Sequence, residues 1–106
     1  MPLACLDLAL LRSRADTASQ LLKVLANPDR LLLLCQLAEG ERNVGELQAA
    51  LGIVQPTLSQ QLGVLRREGL VATRREGKQI HYRIVSPAAL ALIHTLYQQF
   101  CTKEQP

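Results

Sequence analysis

Five hydroxyl or amide side chains cluster near the middle of the chain. They are Gln55, Thr57, Ser59, Gln60 and Gln61. A glutamine amide can bond to an adenine edge through both its oxygen and its nitrogen, and hydroxyls bond to bases or phosphates. The cluster therefore predicts a surface that contacts DNA. The same residues would also suit the solvated face of any surface helix, so they decide nothing alone.

A basic segment follows these polar residues. Six of the twelve lysines and arginines lie between residues 66 and 83, where only Glu68 and Glu76 oppose them. This local excess indicates a nucleic-acid partner more strongly than the net charge of +3 does. We expect the segment to hold DNA phosphates, and its candidate contacts are Arg66, Arg74, Arg75, Lys78 and His81. We expect His81 to lie on the exposed face of the wing, beside the basic residues.

Three cysteines, Cys5, Cys35 and Cys101, are the other candidates for chemistry. An odd number argues against a secreted disulfide scaffold. Cysteine often serves as a small buried hydrophobe, so packing and reactivity both stay open for Cys35 and Cys101. Cys5 has no partner in this pattern and is treated as incidental.

Periodicity and capping signals indicate the helices that carry these residues. Apolar residues recur at helical spacing over 3–26, as one helix or as two. Asn27-Pro28 is a helix start, and the helix over 28–39 is apolar almost all round, which predicts that it is buried. Asn43 to Glu46 resembles a capping box that starts a short helix over 44–51, and Gly52 supplies a left-handed residue after it. A second helix starts at Pro56 and runs to about residue 68, so that 44–68 form a helix-turn-helix.

The spacing of apolar residues changes to alternation over 70–85. This segment predicts a β-hairpin with Gly77 in its turn. Ser86-Pro87 then starts a last helix over 87–101. The sequence thus predicts one mainly α (α+β) domain over 1–106, a winged helix-turn-helix of five to six helices with one β-hairpin wing.

Several classes of protein are not expected from this sequence. No stretch has the length of a membrane span and the N-terminus lacks a basic signal-peptide region, so we expect a cytoplasmic protein without a membrane partner. No nucleophile, base and orienting residue recur at a useful spacing, which argues against an enzyme. We expect no cofactor.

The segment from Gln55 to Val71 resembles the recognition helix of the ArsR (ArsR/SmtB) family of transcriptional repressors. The segment from Leu25 to Leu31 and the wing over 74–83 are similar to that family as well, so the resemblance covers about residues 17–101. It implies a homodimer formed through the first and last helices. It also implies that the repressor binds an inverted-repeat operator in double-stranded DNA and releases it when an inducer is present.

The resemblance also narrows the choice of inducer. Some metal-sensing members carry a Cys-x-Cys pair before the turn, but the corresponding residues 43–48 of this chain contain no thiol. Other members use two histidines on the last helix, where this chain has only His94. No metal site is therefore expected. One cysteine in each of the second and last helices resembles the sulfide-responsive branch, the BigR and SqrR type. That implies a persulfide-driven disulfide or polysulfide bridge between Cys35 and Cys101 that releases DNA.

Two other functions stay open. The same two thiols, with His94, could hold a metal ion or arsenite as the inducer. A protein-interaction adaptor that has lost DNA binding is the other alternative. The operator sequence, the regulated genes, the physiological inducer and the number of sulfur atoms in the bridge are left open by the sequence.

Overall fold

The structure is a computed structural model that describes residues 7–101. Cys5, residues 3–6 of the predicted first helix, and the chain ends of the predicted 1–106 domain lie outside the described residues. Five helices and three strands follow in the order α1 (Leu8–Leu25), α2 (Pro28–Ala38), β1 (Arg42–Asn43), α3 (Val44–Leu51), α4 (Thr57–Arg67), β2 (Val71–Glu76), β3 (Gln79–Ile84) and α5 (Pro87–Cys101). No helix in this described part is long and apolar enough to cross a membrane.

The helix starts at Asn27 and Asn43 are confirmed. Asn27 Oδ1 accepts a hydrogen bond from the Arg30 amide at 3.0 Å, with Pro28 in the first turn. Asn43 Oδ1 accepts from the Glu46 amide at 2.8 Å, while the Glu46 carboxylate accepts from the Asn43 amide at 2.9 Å. These bonds satisfy N–H groups that no helical carbonyl reaches, so each cap fixes where its helix begins.

The spacing allowed one or two helices at the start of the chain. The described part, Leu8–Leu25, is one continuous helix. The helix after the turn begins at Thr57 rather than at Pro56 and ends at Arg67. Gly52 has a φ of 71°, the left-handed conformation expected at the end of α3. The two helices of the helix-turn-helix are therefore confirmed with boundaries shifted by one residue.

The core lies where α2 meets the other helices. Its fully buried large side chains are Leu33 and Leu34 of α2, Leu47 of α3, Leu58, Leu62 and Leu65 of α4, and Ile93 of α5. The prediction that α2 is a buried central helix holds for one side of it, where Leu33, Leu34 and Leu37 are buried, whereas Leu32 is 45% exposed. Neighbouring elements cover only part of the circumference of this helix.

The sheet contains a strand that the sequence did not predict. β2 and β3 form the expected antiparallel hairpin, with Gly77 at a φ of 63° in the turn. β1 pairs with the other edge of β3, placing Arg42 opposite Tyr82. A strand of two residues is too short to show alternation, so the sequence contains no pattern that predicts β1. Its pairing ties the wing to the start of α3, where Asn43 Nδ2 donates to Gln79 Oε1 at 3.2 Å.

Candidate DNA-binding surface and thiol pair

The five polar residues predicted to contact DNA lie on α4 or directly before it. The apolar side of α4 is buried through Leu58 and Leu62. Ser59 and Gln60 are exposed on the other side, whereas Thr57 and Gln61 are half-buried. The helix therefore presents a polar face of mixed exposure rather than five equally accessible side chains.

Gln55 has a structural task at the start of α4. Its Oε1 accepts from the Ser59 amide at 3.1 Å and from Ser59 Oγ at 2.7 Å. The side chain thus satisfies an amide at the open N-terminal end of the helix, although it lies one residue before the capping position. The oxygen of Gln55 and the hydroxyl proton of Ser59 are occupied in this arrangement.

Gln61 is held from the other side by an arginine that the sequence did not single out. Arg30 Nη1 donates to Gln61 Oε1 at 2.8 Å. The two residues are 31 positions apart, so no local signal connected them. Gln61 therefore links α4 to the start of α2.

The predicted basic contacts divide into exposed and paired groups. Arg66, at the C-terminal end of α4, is exposed, as is Arg67 beside it. A cation is favourable at that end because the helix dipole is negative there. Arg75 and Lys78 are exposed on the hairpin. These side chains are available to an anionic partner.

Arg74 is held by carboxylates. Its guanidinium lies 2.7 Å from a carboxylate oxygen of Glu41 and 3.3 Å from one of Glu76. The hydrogen bond from Arg74 lowers the pKa of the Glu41 carboxyl below its usual value. Glu41 was missed by the sequence analysis because it lies 33 residues from Arg74. The charge of Arg74 is therefore largely compensated within the protein.

His81 is not on an exposed face of the wing, which corrects the sequence-based expectation. Its side chain is only 15% exposed, because it lies opposite Arg74 in the β2–β3 pairing and beside Glu76. His81 Nε2 is buried and has no hydrogen-bond partner among residues 7–101; the Glu76 carboxylate is 3.6 Å away. This histidine is thus covered by its neighbours on the wing.

The two candidate sensing cysteines lie on helices that pack together. Cys35 of α2 is half-buried and borders a cavity of about 240 Å³, which Ile93, His94 and Tyr97 of α5 also line. Cys101 is exposed at the last described turn of α5, one turn beyond Tyr97. Both are free thiols. The cavity is the route by which a small reagent would reach Cys35.

Electrostatics keeps Cys35 in its thiol form. Burial raises the pKa of the Cys35 thiol, and negative charge on Cys101 and Glu39 raises that pKa further. His94, which the sequence suggested as a further ligand beside the thiols, and Glu39, which it did not suggest, border the same cavity as Cys35. Within residues 7–101, however, no three His, Cys, Asp or Glu side chains are grouped to hold a metal ion.

Comparison with known proteins identifies the family. Residues 27–73 match the pattern of the bacterial regulatory proteins of the arsR family. A Biofilm growth-associated repressor of Agrobacterium fabrum is 55% identical over 100 residues, which cover 94% of this chain and 86% of that protein. The chain belongs to the arsR family.

Solved structures give the same result for the fold. The crystal structure of the transcriptional repressor BigR from Xylella fastidiosa matches with a TM-score of 0.84 at 50% identity, covering 92% of this chain and all of that one. The homodimeric winged helix-turn-helix DNA-binding domain Mb0332 from Mycobacterium bovis matches with a TM-score of 0.71 at 35% identity, covering 83% and 82%. The predicted winged helix-turn-helix is confirmed. This arsR-family chain is a transcriptional regulator, not an enzyme.

The environments of the two cysteines predict unequal reactivity. In a Cys5→Ser background at pH 7, iodoacetamide should alkylate Cys101 faster than Cys35, because Cys101 is exposed and the pKa of Cys35 is raised. Alkylation of Cys35 should accelerate as the pH rises toward that raised pKa. Glu39→Gln should accelerate it at fixed pH, whereas Glu68→Gln, on α4's C-terminal side, should not. Peptide mass mapping over time measures both rates, and equal rates would contradict this prediction.

Proposed function

We propose that this arsR-family regulator is a homodimeric repressor that binds an inverted-repeat operator while Cys35 and Cys101 are reduced. Reactive sulfur species join the two thiols and release the DNA. The observation that carries the proposal is the placement of one free thiol on each of two helices, α2 and α5, that pack against each other. We expect such a regulator to work in the cytoplasm.

DNA contact is assigned to the polar face of α4 and to the wing. Contacts to bases or nearby phosphates are assigned to Thr57, Ser59 and Gln60 and to the amino groups of Gln55 and Gln61. The exposed Arg66, Arg75 and Lys78 hold phosphates and set the register without reading sequence. Arg74 and His81 contribute less directly, because Arg74 is paired with Glu41 and the His81 side chain is only 15% exposed.

The apolar surface of a single chain supports the homodimer. A groove of about 930 Å³ runs between α1 and α5, lined by Leu21, Val24 and Leu92 among others. Tyr97 and Phe100 of α5 are 53% and 77% exposed. Large exposed apolar groups on a monomer often mark a surface that another protein covers. A second copy related by twofold symmetry would cover it and present two recognition helices to the two halves of the operator.

The proposed sulfur chemistry starts at Cys101 because it is the exposed thiol. Its thiolate attacks the outer sulfur of a persulfide, RS–SH, breaking that S–S bond and releasing RS⁻ as the thiol. Cys101 is then itself a persulfide, Cys101–S–SH. If the Cys35 thiolate attacks Cys101 Sγ, hydrosulfide leaves and a disulfide remains.

A longer bridge needs a second persulfide. That molecule transfers its outer sulfur to Cys101–S–SH, and RSH leaves. Cys35 then attacks the middle sulfur of Cys101–S–S–SH, so hydrosulfide leaves and three sulfur atoms join the helices. A disulfide requires the two Cα atoms to lie within about 7 Å, whereas a longer bridge tolerates a wider separation. Either product locks α5 to α2 and alters the spacing of the two recognition helices in the dimer.

The bridge is tested in the Cys5→Ser protein with a low-molecular-weight persulfide donor. We expect the protein to lose two hydrogens as Cys35 and Cys101 are joined, with or without whole sulfur atoms added between them. Operator affinity should fall at least about 10-fold, on the scale of allosteric couplings of about 1–3 kcal/mol. Intact-mass measurement and fluorescence anisotropy report the two effects.

Cys35→Ser and Cys101→Ser are the matched controls for this experiment. Each should form no internal bridge and should keep its operator affinity after treatment with the donor. Persulfide-triggered release in either variant would exclude the bridge as the switch. An equal response of the parent to hydrogen peroxide would make the protein a general oxidant sensor instead.

A metal- or arsenite-responsive repressor is the alternative within the same family. His94 and Glu39 border the cavity beside Cys35, which brings nitrogen and oxygen ligands near the thiols. Titration of the reduced protein with Zn²⁺, Cd²⁺ and arsenite separates the two inducers. Stoichiometric binding that releases the operator and is lost in Cys35→Ser would favour this alternative.

The salt dependence of operator affinity tests the DNA contacts of the wing. Arg75→Ala should reduce the slope of log affinity against log salt by about 1 for each copy of the arginine, because one phosphate contact is lost. Arg74→Ala should reduce the slope less, since Glu41 already compensates that charge. Affinity that does not depend on salt would instead favour the protein-interaction adaptor.

The dimer is tested by placing a charge in the exposed apolar surface. Phe100, 77% exposed on α5, becomes Glu in the Phe100→Glu variant. We expect sedimentation to show a monomer, because a carboxylate buried in an apolar interface is strongly unfavourable. Operator affinity should fall more than 10-fold, since about one DNA turn separates the half-sites that a dimer contacts together. Unchanged circular dichroism checks the fold, and a dimeric variant would disprove this interface.

A further inference from the structure

Arg30 joins three helices through one guanidinium group. Its Nε donates to the Val24 carbonyl at 2.6 Å and its Nη2 to the Lys23 carbonyl at 3.5 Å, both at the C-terminal end of α1. Its Nη1 donates to Gln61 Oε1 on α4 at 2.8 Å. The carbonyls at a helix C-terminus lack helical partners and attract a cation, so this anchoring is favourable. Arg30 itself lies in the capped first turn of α2.

The chemistry of the guanidinium determines which way the Gln61 amide points. Arginine has five N–H donors and no acceptor, so only the amide oxygen of Gln61 can face it. The amino group on the other branch of the amide is then directed away from Arg30. The orientation of this amide is therefore imposed by its partner.

We infer that Arg30 is a positioning residue for the DNA-binding surface. Arg30 holds Gln61 so that the Gln61 side chain presents only hydrogen-bond donors to DNA. The inference rests on the proposed DNA binding by α4. The partner of Gln61 is then an acceptor: N7 of a purine, O6 of guanine, O4 of thymine or a phosphate oxygen.

This assignment makes two neighbouring glutamines chemically different. A bidentate contact to adenine uses a free oxygen for the N6 amino group and a free nitrogen for N7. The Gln61 oxygen is turned toward Arg30 and one of its two lone pairs is taken, so we expect it not to make that contact while Arg30 holds it. Gln60 is exposed and its side chain has no hydrogen bond within residues 7–101, so both of its groups stay available. Gln61 is also ordered before DNA arrives, which lowers the entropy lost on binding.

The first experiment uses a duplex that the full-length protein selects from a random-sequence pool. Gln61→Glu keeps an oxygen for Arg30, now in an ion pair, but removes the amino group. We expect an unchanged or higher Tm together with operator affinity at least about 10-fold weaker, the scale of one specific base contact. Gln48→Glu, which adds the same charge on an exposed position of α3, controls for repulsion from phosphate. Equal losses in the two variants would overturn the inference.

The second experiment asks whether the oxygen of Gln61 contacts adenine. Replacing each adenine of the duplex by 2-aminopurine removes the N6 amino group and retains N7. The affinity loss at every position should be the same for the wild-type protein and for Gln61→Met. A larger loss for the wild type at any adenine would mean that the Gln61 oxygen is free, and would overturn the inference.

The third experiment asks whether Arg30 acts through Gln61. Arg30→Lys loses the planar fork, so it should weaken operator binding in the wild-type background and have little effect in the Gln61→Met background. Additive losses would overturn the positioning role. If the pool yields no enriched duplex for the wild-type protein, the proposed function itself fails, and this inference fails with it.

Discussion

The burial of one side of α2 is the constraint on which the rest of the structure depends. Leu33 and Leu34 are completely buried, and α2 contacts the other four helices and β3. Close-packed interiors deform little, so elements that share this helix cannot move independently. Arg30 at its start connects it to α4, and Cys35 about one and a half turns later borders a cavity against α5. The proposed DNA contact and the proposed sulfur chemistry are therefore connected through one rigid element.

Hydrogen bonds within the protein determine what its surface can offer to DNA. The oxygens of Gln55 and Gln61 are already occupied, and so is most of the charge of Arg74. A polar side chain that is partly satisfied inside the protein presents only its remaining donors or acceptors. The specificity of such a surface thus depends on residues behind it as much as on those that touch DNA.

The two thiols lie in different environments on helices that pack together. The raised pKa of Cys35 disfavours its thiolate, which is the form that reacts with oxidants. Exposure of Cys101 lets a sulfur donor react there first. In the proposed sequence of events, the first step is a surface reaction and the second requires two packed helices to hold their thiols together.

What the sequence determined by itself was the set of local features. The caps at Asn27 and Asn43, the turns at Gly52 and Gly77, and the hairpin all depend on residues a few positions apart, so composition and spacing were enough to predict them. Tertiary structure decided the pairings across long separations: Arg30 with Gln61, Arg74 with Glu41, and β1 with β3. It also decided that Leu32 is exposed and that His81 is nearly covered. Such features depend on which faces of distant segments meet, and short-range patterns contain no information about that meeting.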